Sequence, residues 1–249
     1  MPGRKTTRVR AIVLGKTKLA EQDLILTTLS ATGEQVRVVA KGARKPGSRL
    51  AARTELFLDV DMLISHGRGL GIVAEAQVVE AHRGLMGDVE RTAAASALCE
   101  VARLTSFEGV EDPYLFAILN RALSAIEFAA DRAHMDLMVA AYALKVLSHC
   151  GWMPVLDGCV ACGETPAARF SVAAGGLLCE SCAREVPGAE PVSEGHVGWL
   201  RAVLGLTFDA LAQVPIDDGT AAWLVGEALG WGSHHLDARL KALEFYVSF

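Results

Sequence analysis

Aromatic residues are scarce in this chain, at 6% of 249 positions, and the first 80 residues contain only Phe57. A surface that holds nucleic-acid bases by stacking needs exposed rings, each worth about 1–3 kcal/mol per base. Phe57 lies in the run "LFLDV" and reads as core, so base stacking is excluded as the main device of this region. Long apolar runs are lacking as well. The longest, "LMVAAYALKVL", is interrupted by Lys145 and reads as a buried helix, because a membrane span needs roughly 18 or more apolar residues. The basic start "MPGRKTTRVRAIVLGK" has only "AIVLG" as its apolar part, shorter than the roughly seven residues of a secretory leader. The expectation is a soluble cytoplasmic protein with no membrane partner.

Motifs of nucleotide and hydrolytic chemistry are missing too. There is no GxxxxGK[ST] loop, no GxGxxG between strand and helix, no HExxH and no GxSxG. ATP use is not expected, and the chain reads as a non-enzyme. The histidines are scattered: His234 and His235 read as a partly exposed pair. His149 and Cys150 are adjacent on a helical pattern and so do not face each other.

Positive charge is scarce after residue 53. Residues 54–249 hold 12 Lys or Arg against 26 Asp or Glu, whereas residues 1–53 hold 12 against 3. A basic head on an acidic body points to a polyanion as partner of the head alone. The segment "VVAKGARKPGSRLAAR" carries Lys41, Arg44, Lys45, Arg49 and Arg53 with no acid. Arg8, Arg10, Lys16, Lys18 and Arg37 extend the candidate patch. Phosphate oxygens are natural partners, and each phosphate neutralised releases a counterion, so binding should weaken steeply with salt. Gly42 and Gly47 let the backbone come close to such a strand. Arg44, Lys45 and Arg49 are the first candidates for contact.

What is present in residues 8–80 is a series of β-branched and apolar runs: "VRAIVLGKTK", "DLILTTLSA", "EQVRVVAKGA", "TELFLDVDMLIS" and "GIVAEAQVVEA". Glycines punctuate them. Five short strands suit an OB-type barrel; an SH3-like barrel fits the count nearly as well. From residue 88 the period becomes helical in "DVERTAAASALCEVARLTSF", then in "EDPYLFAILNRALSAIEFAA" with Asp112 as cap and Pro113 at the first position, then in "AHMDLMVAAYALKVLSHCG". Helical spacing resumes after residue 188, where Ser193 can cap "EGHVGWLRAVLGLTF".

Between these helices stands "CVACGETPAARFSVAAGGLLCESC", with Cys159, Cys162, Cys179 and Cys182 in C-x2-C-x16-C-x2-C spacing. Each CxxC turn aims two thiolates at one point, and two turns complete a tetrahedron around Zn2+. Four thiolates leave no open position, so the metal would be structural. Spacing alone leaves an iron–sulfur cluster open. A disulfide pair does not suit a cytoplasmic chain. Cys99 and Cys150 read as buried small hydrophobes.

"LAEQDLILTTLSATGEQVRVVAKGARKPGSRLA", together with "YALKVLSHCGWMPVLDGCVACGE" followed by "LLCESCA", resembles the bacterial recombination mediator RecO family. The resemblance implies an α+β multidomain fold. Its parts would be a five-stranded OB-type β-barrel for DNA binding (1–80) and a helical domain (81–156 and 189–249) with an inserted four-cysteine zinc-binding module (157–188). It implies a DNA repair and homologous recombination role. Such proteins bind single- and double-stranded DNA and anneal complementary strands. With RecR they promote loading of RecA onto DNA coated by single-strand binding protein (SSB), and they contact the acidic SSB C-terminal tail. A bacterial, nucleoid-associated location follows. An apolar groove with a basic rim would receive that tail, and Leu115, Leu119, Leu123, Arg121 and Arg132 are the candidates, set against ordinary core packing for each leucine.

Two rival readings stay open. One is a zinc-ribbon interaction scaffold without direct DNA binding. The other is a metal-dependent nuclease using "DVD" at Asp59–Asp61, a pair that strand alternation already explains.

Overall fold

The computed structural model describes residues 5–249; residues 1–4, the start of the expected first domain, lie outside the described residues. The chain divides into two compact units, Met1–Glu127 and Phe128–Phe249.

The first unit is built on a closed barrel. Its strands are β1 (Thr6–Lys18), β2 (Leu24–Ser30), β3 (Gln35–Ala40), β4 (Asp59–Ser65) and β5 (Gly71–Glu80), in the order β1-β2-β3-β5-β4. β1 is long enough to serve two neighbours. Thr6–Ile12 pair with β4, Ala11–Lys18 pair with β2, and the register shifts between Val13 and Gly15. β3 meets β5 in parallel at Val38 and Val39, while the other pairs are antiparallel. This closure is of the OB type and replaces the SH3-like alternative. Alternate positions point inward, so Ala11, Val13, Leu26, Val38, Val60, Met62 and Ile64 fill the barrel. Phe57 is buried, as the run around it implied.

A short helix, α1 (Arg49–Arg53), joins β3 to β4. Ser48 caps it by accepting from the Ala51 N–H, and Leu50 and Ala51 pack against the barrel core. Three further helices belong to this unit: α2 (Arg83–Met86), α3 (Val89–Thr105) and α4 (Pro113–Glu127). Asp88 caps α3 through the Arg91 N–H, and Asp112 accepts from the Tyr114 N–H just ahead of α4. The Ala-rich face of α3 is buried from Ala93 to Ala102. The Gln35 amide donates to the carbonyls of Arg103 and Ser106 at 2.9 and 3.1 Å.

Gly33, in the turn after β2, has φ +82, and a Cβ there would stand 1.7 Å from the Asp112 carbonyl oxygen. Gly47 has φ +72 but open space around its Cβ position. Left-handed backbone alone costs an L-residue roughly 1–2 kcal/mol. Gly47→Ala should therefore cost about 1 kcal/mol, and Gly33→Ala about 3 kcal/mol or more because backbone must also shift. Thermal melts of the two variants provide the comparison.

The second unit contains α5 (Arg132–His149), β6 (Arg169–Ser171), β7 (Gly176–Leu178), α6 (Glu180–Ala183), β8 (Glu190–Pro191), α7 (Glu194–Gly205), α8 (Phe208–Leu211), α9 (Asp218–His235) and α10 (Lys241–Val247). Asp131, Ser193, Thr207 and Asp217 cap α5, α7, α8 and α9 by accepting from backbone N–H groups. α5 is buried around most of its circumference, as its continuous apolar pattern requires. Fully buried Trp231 satisfies its Nε1–H with the Trp152 carbonyl at 2.9 Å. Among the described residues no helix is long and apolar enough to cross a membrane.

The leucines expected to line an apolar groove are buried instead. Leu115, Leu119 and Leu123 are buried, at 3%, 0% and 0% exposure, so they are core rather than docking surface. Arg132 is occupied as well. Its Nε donates to Asp136 at 2.8 Å, its Nη2 donates to the Tyr246 carbonyl at 3.2 Å, and its guanidinium lies 4.5 Å from the Tyr246 ring centroid. Buried Asp136 also accepts from the Tyr246 hydroxyl at 2.5 Å. Removing Arg132 would leave that carboxylate short of a donor, which makes the residue structural. Arg121 is exposed.

Candidate metal centre and nucleic-acid interface

The four predicted cysteines converge. Their sulfurs all lie within 4.8 Å of one another, and no other group of three or more such residues has metal-ligand geometry among the described residues. Local turns produce this. In the first knuckle the Gly163 N–H donates to the Cys159 carbonyl at 2.8 Å, and Gly163 takes φ +78. In the second, Cys179 caps α6 and its carbonyl accepts from the Ala183 N–H at 2.9 Å. The strands β6 and β7 hold the knuckles in register, closed by the Gly175–Gly176 turn. Gly176 takes φ +151, where a Cβ would stand 2.2 Å from the Val155 carbonyl oxygen.

The donor set fits a single ion. Four sulfurs at about 2.3 Å from Zn2+ define tetrahedral edges of about 3.8 Å. Cys162 Sγ and Cys179 Sγ are 3.8 Å apart, too far for a disulfide, and none of the six cysteines is disulfide-bonded. Electrostatics agree. Backbone N–H groups, that of Cys179 foremost, hold the Cys159 thiol down at about 6. Sulfur neighbours, Cys179 foremost, push Cys182 up to about 12. Four thiolates cannot share this space unless a cation replaces their protons.

The candidate DNA-binding cations fall into two groups. Arg8 donates to Asp61 at 2.9 Å. Arg10 holds the fully buried Asp59 carboxylate with Nε and Nη2, at 3.0 and 2.6 Å, and lies 5.7 Å from the Phe116 ring centroid. The hydrogen bond to Asp59, followed by its charge, raises the Arg10 pKa further above its ordinary value. Lys16 pairs with Glu55. Arg53 donates to the Ala76 carbonyl at 3.2 Å. These four are committed within the fold. The "DVD" carboxylates are thereby matched to arginines of β1, which removes the basis for a metal-dependent nuclease.

Lys18, Arg37, Lys41, Lys45 and Arg49 make up the second group. All are exposed, and none forms an ion pair among the described residues. The register places Lys18, Leu24 and Ala40 in one row across three strands, so Lys18 ends β1 beside the point where Lys41 leaves β3. The Lys45 side chain lies across Gly42, its Cδ 3.5 Å from where a Cβ would stand. Arg37 is on the outer face of β3, paired opposite Thr27, and Arg49 opens α1.

Arg44 behaves differently from its neighbours. Its Nη1 donates to the carbonyls of Ala20 and Glu21 at 3.0 and 2.8 Å, across the β1–β2 turn. Asp23, in that same turn, accepts from the Gly42 N–H at 2.7 Å. Sequence reasoning about cations passed over Asp23, an acid in the middle of the basic region. Its one available signal was its place beside a turn, where Asp side chains accept backbone N–H groups.

Comparison with known proteins bears on both features. The family model "Recombination protein O N terminal" matches residues 4–82, and "Recombination protein O C terminal" matches residues 86–244. A DNA repair protein RecO from Bifidobacterium longum subsp. infantis is 32% identical over 245 residues, covering 97% of this chain and 98% of its own. One from Desulforudis audaxviator is 31% identical, covering 97% and 96% respectively. A third, from Rubrobacter xylanophilus, is 36% identical over 226 residues, covering 89% and 87%. With two family models spanning nearly all of the barrel, the helices and the cysteine module, this chain belongs to the recombination protein O family of DNA repair proteins.

Proposed function

We propose that this protein is a recombination mediator that acts by binding rather than catalysis. The barrel holds the backbones of single- and double-stranded DNA. The protein anneals complementary strands and, with RecR, promotes RecA loading onto SSB-coated single strands. The supporting observation is the partition of charge. Lys18, Lys41 and Lys45, around one end of the barrel, form no ion pair among the described residues, while Arg8, Arg10 and Lys16 are matched to acids. The lack of exposed aromatic rings on the barrel favours backbone contact and tolerance of sequence, which suits annealing.

The four cysteines hold Zn2+ as a structural ion in this reading, supported by the sulfur spacing and the all-thiolate donor set. Exposed Arg121 remains the candidate for contact with the acidic SSB tail. The reading places the protein in the bacterial cytoplasm, on the nucleoid.

An annealing assay with SSB-coated complementary oligonucleotides, run with and without RecR, tests the function. Faster annealing than the SSB-coated control supports it. No acceleration in either arm refutes it, and a flat response of binding to salt refutes the backbone mode. For Arg121, titration calorimetry with an SSB tail peptide should give weaker binding for Arg121→Glu, and unchanged binding would exclude that contact.

A further inference from the structure

We infer that Arg44 and Asp23 are positioning residues. They clasp the β1–β2 turn to the β3–α1 loop and thereby hold Lys18, Lys41 and Lys45 as one preformed phosphate-binding surface. This deepens the proposed DNA-binding role of the barrel and rests on it.

The clasp is reciprocal. From the loop, the Arg44 guanidinium reaches the carbonyls of Ala20 and Glu21, and its backbone N–H donates to the Gln22 carbonyl at 2.9 Å. From the turn, the Asp23 carboxylate takes the Gly42 N–H at 2.7 Å. The turn is closed on itself by the Leu19 N–H donating to the Asp23 carbonyl at 3.2 Å. Four hydrogen bonds thus join two segments that would otherwise move separately. Gly42 has φ +67, which aims its N–H at the turn and leaves room for the Lys45 stem to fold over it. Loops that must be ordered on binding lose affinity to that ordering, and loops fixed beforehand do not.

An acid inside a phosphate-binding surface is otherwise a liability, because its charge repels the ligand. Its carboxylate earns its place as an acceptor, and this separates geometry from charge. Asp23→Asn keeps an acceptor oxygen and removes the negative charge. Asp23→Ala removes both.

The test uses the full chain and a fluorescein-labelled single-stranded oligonucleotide, followed by anisotropy across a salt series, with hydrogen exchange at the Gly42 N–H. Asp23→Asn should bind at least as tightly as the parent and keep the Gly42 N–H protected. Asp23→Ala should lose that protection and bind about fivefold more weakly, the worth of one hydrogen bond. Arg44→Lys retains the charge but not the planar fork, so affinity should fall by a similar factor of about five. In both weakened variants the slope of log affinity against log salt should stay unchanged, because no phosphate contact is lost.

Equal affinities for Asp23→Asn and Asp23→Ala would overturn the inference. So would unchanged affinity in Arg44→Lys, or a slope reduced by about 0.7 in Arg44→Ala, the mark of a direct phosphate contact. A Lys41→Ala/Lys45→Ala variant separates the two levels. If it binds like the parent, the DNA-binding reading of this surface fails. If it binds weakly while the Asp23 pair does not differ, only the clasp fails.

Discussion

Changing Cys159 and Cys162 to Ser together strips the metal and unfolds the segment from Cys159 to Cys182, while the barrel keeps its DNA affinity within about twofold. That segment has little core of its own. β6 and β7 have three residues each, and α6 has four. Structural Zn2+ contributes about 10 kcal/mol or more of apparent folding free energy to small modules of this kind. Phe170 stacks on Trp231 at 5.7 Å between ring centroids, so loss of the module should alter the Trp231 fluorescence. Metal content by mass spectrometry, tryptophan emission and oligonucleotide anisotropy measure the three parts separately. A variant that keeps its metal would show that these two sulfurs are not ligands, and a variant that loses DNA binding would tie the module to the barrel's function. Acid should reproduce the effect. The metal-free state carries more protons than the metal-bound state, so affinity for the ion falls as pH falls. Metal content should therefore fall progressively as the pH is lowered.

Removing the four cations Lys18, Lys41, Lys45 and Arg49 together, each to Ala, lowers single-strand affinity by about a hundredfold or more at low salt and flattens its salt dependence by about 2.8 in slope. The same number of replacements among Arg8, Arg10, Lys16 and Arg53 should act through stability instead. Arg10 is half exposed but holds a carboxylate that is completely buried, and leaving that buried acceptor without its donor costs about 1–3 kcal/mol. Anisotropy and thermal melts on the two quadruple variants should therefore give opposite patterns. If the Arg8 set lost DNA binding at full stability, the division of the cations into ligand-facing and fold-facing groups would be wrong.

Much of the fold was legible. Five β-branched and apolar runs from Val9 to Ala81 marked the barrel, and Asp112, Pro113 and Ser193 marked helix starts that the structure retains. The cysteine spacing anticipated the metal-binding cluster, since two knuckles are local turns whose geometry follows from a few consecutive residues. The fate of individual charges was not legible. Arg10 and Asp59 are 49 positions apart, and Lys16 and Glu55 are 39 apart. No local pattern announces such partnerships; they arise because β1 lies against β4 and the chain that precedes it. Leu115, Leu119 and Leu123 illustrate the same limit, since helical spacing describes a docking face and a core face identically.

By itself, then, the amino-acid order determined where the barrel strands and the long helices run, where positive charge accumulates, and which four thiols meet, because each depends on neighbours within one turn or one strand pair. Tertiary structure alone decided which cations stay available and which are consumed, and it gave Asp23 and Arg44 a shared task. Those outcomes depend on strand closure and side-chain reach between residues far apart along the chain, and one-dimensional periodicity carries no record of them.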